Sequence, residues 1–204
     1  MSLEKTEMIT CPDCGKESEF VIWKSLNSTL DPEAKQRLMS GELFAFKCPY
    51  CKSVRNVDYG FLYHQMDSQL MIQYSLTDEN AAEGIESFEK MTNGDLPGIQ
   101  PMDADYKFRI VRSQNQLREK IYIFDNGLDD RVIELMKVYM ISRLSQSNPE
   151  LEIEEMLLEL TEGGPTRFAI RLSDGHWGST DYAQGLYDVI QMPVGKLIRI
   201  SLVL

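Results

Sequence analysis

At 204 residues, with 43% hydrophobic and 26% charged side chains, the chain has the balance of an ordinary soluble globular protein, sized for one domain with an appendage or for two small ones. Its formal net charge of −11, from 32 acidic against 21 basic side chains, disfavours nucleic acid or an anionic membrane as the main partner. No apolar run approaches the roughly 18 residues that span a bilayer, and MSLEKTEMIT holds no apolar signal-peptide core, so a cytoplasmic chain without a membrane segment is expected.

The first element in chain order is a cysteine turn, Cys11-Pro12-Asp13-Cys14-Gly15. Proline after the first cysteine fixes φ, and Gly15 relaxes the backbone where such a turn often needs positive φ. ESEFVIWKSL, residues 17–26, is rich in β-branched and aromatic residues and reads as a strand. TLDPEAKQRLMSGE then predicts a short helix, with Asp31 as N-cap, Pro32 at the first helical position and Gly41 just past the end. ELFAFKC returns to strand and leads into a second turn, Cys48-Pro49-Tyr50-Cys51.

CPYC is also the active-site tetrad of glutaredoxins. A redox pair of that kind needs its first cysteine at a helix N-terminus, where the dipole lowers the thiol pKa. The residues after Cys51, KSVRNVDYGFLYH, alternate like a strand, so the context favours half of a metal site. In a cytosolic chain disulfides do not persist, and two Cys-x-x-Cys pairs imply one four-thiolate site with Cys11, Cys14, Cys48 and Cys51 as ligands. Zn²⁺ is the expected ion, bound tetrahedrally between two facing turns, and iron is the rival because an all-thiolate site also suits it. Rubredoxin-type turns usually carry Gly after both pairs; here Lys52 follows the second.

Further along, SVRNVDYGFLY and QLMIQYSL read as strands, giving a small mixed sheet around the metal turns. TDENAAEGIESFEKM reads as a helix interrupted by Gly84, and NGDLPGIQPMDADY as a linker. Ser113-Gln114-Asn115-Gln116 is a capping-box pattern that opens a helix carrying Leu117, Ile121 and Phe124, and Asn126-Gly127 stops it. A second helix over LDDRVIELMKVYMISRLSQS carries Leu128, Val132, Leu135, Met136, Tyr139 and Leu144 along one stripe, and the two are expected to form a hairpin. Beyond Asn148-Pro149, EEMLLEL, the alternating Phe168, Ile170 and Leu172, and KLIRISLVL read as strands, with a short helix in STDYAQGLYDVIQMP.

The stretches ITCPDCGKESEFVIWKSLN, LDPEAKQRLMSGELFAFKCPYC, FLYHQMD and LREKIYIFDNGLDDRVIELMK resemble the CpXC family of bacterial and archaeal proteins, from about Ile9 to about Lys137. Both Cys-Pro-x-Cys motifs of the family are intact. The resemblance implies a metal-binding domain and supplies no reaction.

The expected architecture is therefore α+β: a zinc-ribbon-like β domain with the four-cysteine site, then a helical hairpin, together spanning residues 1–148, and a small α+β appendage over 149–204. The β part is placed at about 1–76 and the helical part at about 107–148.

Other candidate chemistry is thin. His64, near Asp67, is read first as a strand-end histidine satisfied by a neighbour and second as a polar group beside the metal. Asp174-Gly175-His176-Trp177-Gly178 is first a hairpin signal and second a binding loop with an aromatic anchor. Asp129 and Asp130 sit at a helix start, where carboxylates serve the dipole more often than acid–base work. No catalytic or cofactor-binding residue stands out. A metal-stabilised, non-enzymatic module with a protein partner is the favoured reading. An enzyme remains the alternative, and its mark would be a pocket in which Tyr63, His64 or Asp67 converges with Asp129 or Asp130. Nucleic acid is disfavoured because residues 1–75 carry 8 Lys or Arg against 10 Asp or Glu, before a four-thiolate Zn²⁺ site adds about −2.

Overall fold

In the computed structural model, which describes residues 2–95, 101–102, 105–159 and 166–197 (the backbone alone for 192–197), the chain forms two compact units that divide between Leu117 and Arg118. Each is mixed α+β. Among the described residues no helix is long and apolar enough to cross a membrane.

The first unit opens with β1 (Leu3–Thr10), which pairs antiparallel with β2 (Glu17–Asn27). The sequence reading missed β1, whose side chains are almost all exposed, so its LEKTEMIT shows no buried alternation. α1 (Pro32–Ser40) begins and ends where its Pro and Gly predict, and Gly41 takes the left-handed conformation at φ 84°. Asp31 holds the N-cap position, but its carboxylate accepts from the Ser2 hydroxyl and caps no helical N–H. Within ELFAFKC, residues Glu42–Phe44 form a 3₁₀ turn and only β3 (Ala45–Lys47) is strand; it pairs antiparallel with β4 (Val54–Asn56) as a separate two-stranded sheet.

β5 (Phe61–Gln65) and β6 (Leu70–Tyr74) then join the main sheet, followed by α2 (Asp78–Asn93) and β7 (Lys107–Val111). The strand order is β1-β2-β5-β6-β7, with β2–β5 and β6–β7 parallel and the other pairs antiparallel, so the sheet is mixed as expected. α2 lies in the crossover between the parallel β6 and β7, the usual place for a helix. Gly84, which looked like an interruption, lies against the sheet: a Cβ there would come 2.9 Å from Gln73 Cγ and 3.1 Å from Ile110 Cδ1. Glycine lets the helix approach closely, and Phe88 packs there with Met71 and Ile110. Of the linker NGDLPGIQPMDADY, Asn93 closes α2 and Gly94 caps it, while residues 96–100 and 103–104 lie outside the described residues.

α3 (Gln114–Asp125) starts with the predicted cap: Ser113 Oγ accepts from the Gln116 N–H at 3.1 Å. The Gln116 side chain reaches back one residue further than the capping box requires, accepting from the Arg112 N–H at 2.9 Å. α4 (Asp130–Ser147) follows a turn in which Gly127 has φ 67°. Val132 and Met136 are buried as the stripe predicts, but Leu135 and Tyr139 are 42% and 50% exposed. Ile133 and Lys137 take the buried arc instead. Lys137 is buried because Glu119 Oε2 and Glu134 Oε1 accept from its ammonium at 2.7 and 3.1 Å, a compensation that hydropathy alone does not register. Lys120 likewise pairs with Asp130 and Glu134, tying α3 to α4.

β8 (Ile153–Leu158), β9 (Arg167–Leu172) and β10 (Trp177–Asp181) form an antiparallel sheet in the order β10-β9-β8, followed by α5 (Gln184–Leu197). Ile123, Val132, Ile133 and Met136 of the helices pack against Met156, Leu158, Phe168 and Ile170 of the sheet. Asp174-Gly175 makes the predicted hairpin turn, with Gly175 at φ 86°, but the strand it leads into, β10, was not foreseen. KLIRISLVL is not a strand where it is described: Lys196 and Leu197 end α5, and residues 198–204 lie outside the described residues.

Candidate metal centre

Each cysteine turn forms the tip of an antiparallel hairpin. Thr10 pairs with Glu17 across the first, and Lys47 with Val54 across the second. The two turns repeat one hydrogen-bond scheme. The Cys11 N–H donates to Lys16 O and the Gly15 N–H to Cys11 O, both at 2.9 Å; the Cys48 N–H donates to Ser53 O at 2.9 Å and the Lys52 N–H to Cys48 O at 3.0 Å. Lys52 therefore stands where Gly15 stands, and it adopts the same left-handed φ, 65° against 70°. Its ammonium donates to Pro49 O at 2.7 Å, holding the turn from outside.

The turns face each other and bring all four sulfurs together. Cys11 Sγ lies 3.7 Å from Cys51 Sγ, Cys14 Sγ lies 3.6 Å from Cys48 Sγ, and the four atoms fall within 4.8 Å of one another. A tetrahedron of sulfurs at the ~2.3 Å Zn–S distance has an edge of about 3.8 Å, so both cross-turn pairs already stand at coordination spacing. They are far beyond the ~2.05 Å of a disulfide, and all four cysteines are free. The residues present fit a metal ion. The packing around the site is apolar: Cys11 and Cys48 are fully buried and share a cluster with Phe46, flanked by Ile9, Phe20 and Val57.

Contacts outside the sulfurs also bridge the turns. The Asp13 carboxylate receives the Arg55 guanidinium in a bidentate pair, with Nε donating at 2.9 Å, and this pair, together with the nearby Ser53 hydroxyl, holds it below the usual carboxylate range. Lys16 Nζ sits 4.7 Å from the centroid of the Tyr50 ring. The Ser53 hydroxyl lies 3.1 Å from Cys51 Sγ and 3.5 Å from Cys11 Sγ. Ser53 is the leading cause that lowers the Cys11 thiol to about 6 and draws Cys51 below the ordinary thiol range. The Lys16 N–H favours a thiolate at Cys14, but burial and the three neighbouring sulfurs outweigh it and push Cys14 up to about 12. Four thiolates at these spacings repel one another, so retained protons or a cation must separate them. None of the bridging residues was singled out from sequence; the one available signal was their position inside or just after a Cys-x-x-Cys turn.

The structure also separates this geometry from a glutaredoxin site. Cys48 is fully buried and Cys51 is exposed, the reverse of what an accessible first-cysteine nucleophile requires, and the chain continues into β4 rather than a helix. None of the remaining candidates belongs to the sulfur cluster. His64, on β5, has Nε2 2.9 Å from the Tyr106 hydroxyl, and burial holds its pKa below the ordinary histidine value. Asp67 accepts from the Thr29 hydroxyl at 3.3 Å. In the second unit His176 is exposed in the hairpin turn with Nδ1 3.1 Å from Asp174 Oδ2, and Trp177 is exposed beside it. Asp129 caps α4, accepting from the Arg131 N–H at 3.0 Å, and Asp130 is paired with Lys120. A surface cleft of about 300 Å³, lined by Gly60, Gln73, Tyr74, Asn80, Glu83 and Ser87 among others, includes none of these residues.

The family model described as CpXC protein matches residues 9–137, well over half of the chain. The chain belongs to the CpXC family. The match contains both Cys-Pro-x-Cys turns of this CpXC protein and ends within α4. No curated protein and no solved structure matches it.

Proposed function

We propose that this CpXC protein binds one zinc ion through Cys11, Cys14, Cys48 and Cys51, and that the ion is structural, clasping two hairpins in a zinc-ribbon-like arrangement within a non-enzymatic module that engages a protein partner. The observation that carries the reading is the sulfur geometry: two turns with one hydrogen-bond scheme, facing each other with cross-turn distances of 3.7 and 3.6 Å. A closed set of four thiolates leaves no open coordination position for substrate, which is the arrangement of structural rather than catalytic zinc. The apolar cluster around Cys11 and Cys48 supports the same role, because it couples the sulfurs to the packing of both hairpins.

The direct test is the metal content of untreated purified protein, counted together with free thiols. About one zinc per chain is expected, with all four thiols shielded until a chelator is added. Iron at the same stoichiometry, visible as thiolate-to-iron absorbance, would replace zinc with a rubredoxin-like reading. Four freely reactive thiols and no metal would overturn both.

A further inference from the structure

The two cysteine turns share a backbone, but their last residues do not do the same work. Lys16 and Ser53 occupy equivalent positions, each accepting the N–H of the first cysteine of its own turn. Lys16 sends its side chain over the Tyr50 ring. Ser53 turns its hydroxyl towards the sulfurs, 3.1 Å from Cys51 Sγ and 3.5 Å from Cys11 Sγ, and so touches one sulfur from each turn along the 3.7 Å edge between them. That edge contains the most exposed of the four cysteines, Cys51.

We propose that Ser53 is a positioning residue of the metal centre: its single O–H proton, shared between the nearer Cys51 sulfur and the Cys11 sulfur, governs how firmly the exposed edge holds the ion. The inference rests on the metal-site reading given above. An O–H donor withdraws charge from a thiolate without displacing it, which offsets part of the −2 charge of a four-thiolate site and makes the sulfur a poorer nucleophile towards solvent-borne electrophiles. Partners of this kind, one step outside the ligands, typically control metal affinity by 10–100-fold. Cys14 and Cys48 carry no side-chain hydroxyl contact among those described, so the effect is confined to one edge. The site is thereby made asymmetric: the hydroxyl supports the edge that contains Cys51, the most exposed of the four sulfurs.

The test compares two side-chain pairs that differ in the hydroxyl, Ser53→Ala against wild type and Ser53→Val against Ser53→Thr, each loaded with Co²⁺ as the probe ion. The readouts are Co²⁺ stoichiometry, the rate of Co²⁺ transfer to a chelator, and the energy of the sulfur-to-cobalt charge-transfer band. Wild type and Ser53→Thr are expected to bind one Co²⁺ and release it slowly. Ser53→Ala and Ser53→Val are expected to release it on the order of tenfold faster, with the band shifted to lower energy and Cys51 alkylated faster than in the matching hydroxyl-bearing protein. Equal transfer rates and an unmoved band within either pair, at full stoichiometry, would sink the role of Ser53 and leave the metal site standing. Failure of the wild type to bind Co²⁺ stoichiometrically would remove the metal site itself and this inference with it.

Discussion

Gly15 and Lys52 hold the same place in the two cysteine turns, with φ of 70° and 65°. A Cβ at Gly15 would meet nothing within 4 Å, so the cost of a side chain there is purely backbone strain. Gly15→Ala is expected to destabilise the metal-loaded protein by about 1–2 kcal/mol, the left-handed penalty for an L-residue. Lys52→Gly removes that penalty but loses the bond from Nζ to Pro49 O, so it should be neutral to stabilising by up to about 1 kcal/mol. Thermal melts of the two variants check this. A Gly15→Ala protein as stable as wild type would mean that the turn relaxes.

Loss of one ligand should undo the first hairpin pair. Structural zinc contributes ~10–16 kcal/mol in small domains, comparable to or above the ~5–15 kcal/mol stability of a whole fold. Cys48→Ser is therefore expected to lose the ion and to unfold residues 9–75. Retention of the metal, the melting temperature and the solubility of wild type would contradict a structural role.

Thiol reactivity offers an independent reading. With metal bound, the four cysteines should be protected together, and a chelator should release them together, with Cys51 leading because it alone is exposed. Selective alkylation of buried Cys48 in metal-loaded protein, with turnover of a glutathione mixed disulfide, would instead establish redox chemistry.

In the second unit Glu119 is buried, with Leu158 N–H donating to it at 2.5 Å and Lys137 at 2.7 Å. Lys137→Met should cost about 3–5 kcal/mol by leaving an uncompensated buried carboxylate, and Glu119→Gln added to it should recover part of the loss. The pH dependence has opposite signs at the two ends. Burial opposes the charged form of Lys137, but the Glu119 and Glu134 carboxylates outweigh it and raise its pKa; its stabilisation is present below the ordinary lysine value of ~10.4 and is lost as pH rises above that. Burial likewise opposes ionisation of Glu134, but Lys137 and Lys120 win and lower its pKa; its stabilisation is present above the ordinary ~4.3 and is lost as pH falls below that. Burial dominates at Glu119 and raises its pKa, so its ionisation erodes stability just above the ordinary value and blunts the acid limb. Melting temperatures across pH should fall at both extremes, and the alkaline fall should be smaller in Lys137→Met, the remainder coming from Tyr59 and Tyr182, whose hydroxyls burial pushes up to about 12.

Truncation at Pro149 removes β8, β9, β10 and α5, which cover Val132, Ile133 and Met136. The fragment 1–148 is expected to aggregate through that surface. A soluble fragment that melts cooperatively would identify the removed part as an independent module.

The cysteine turns, α1 and the hairpin at Gly175 were legible because each is written in local chemistry: Pro and Gly at fixed offsets, or paired Cys. β1 was not legible because an exposed strand carries no buried alternation. The stripe on α4 was right at four of its six residues, Leu128 and Leu144 also packing against the core. Val132 and Met136 repeat every four residues, yet the helix turns Leu135 and Tyr139 outward because Lys137 finds carboxylates inside, a long-range compensation with no local signature. Ser53 and the Asp13–Arg55 pair were equally silent, since their meaning depends on two turns that meet only in three dimensions.

The β1–β2 hairpin and the β3–β4 hairpin belong to different sheets, and no strand is common to both. An ion gripped by both tips would therefore turn the chain from Cys14 to Cys48 into a closed ring, with α1 threaded on it like a bead on a clasped necklace. In a ring, fluctuations that separate the ends are forbidden rather than merely costly. Amide hydrogen exchange along α1, which touches no cysteine in sequence, should then slow when metal is added and quicken when it is stripped.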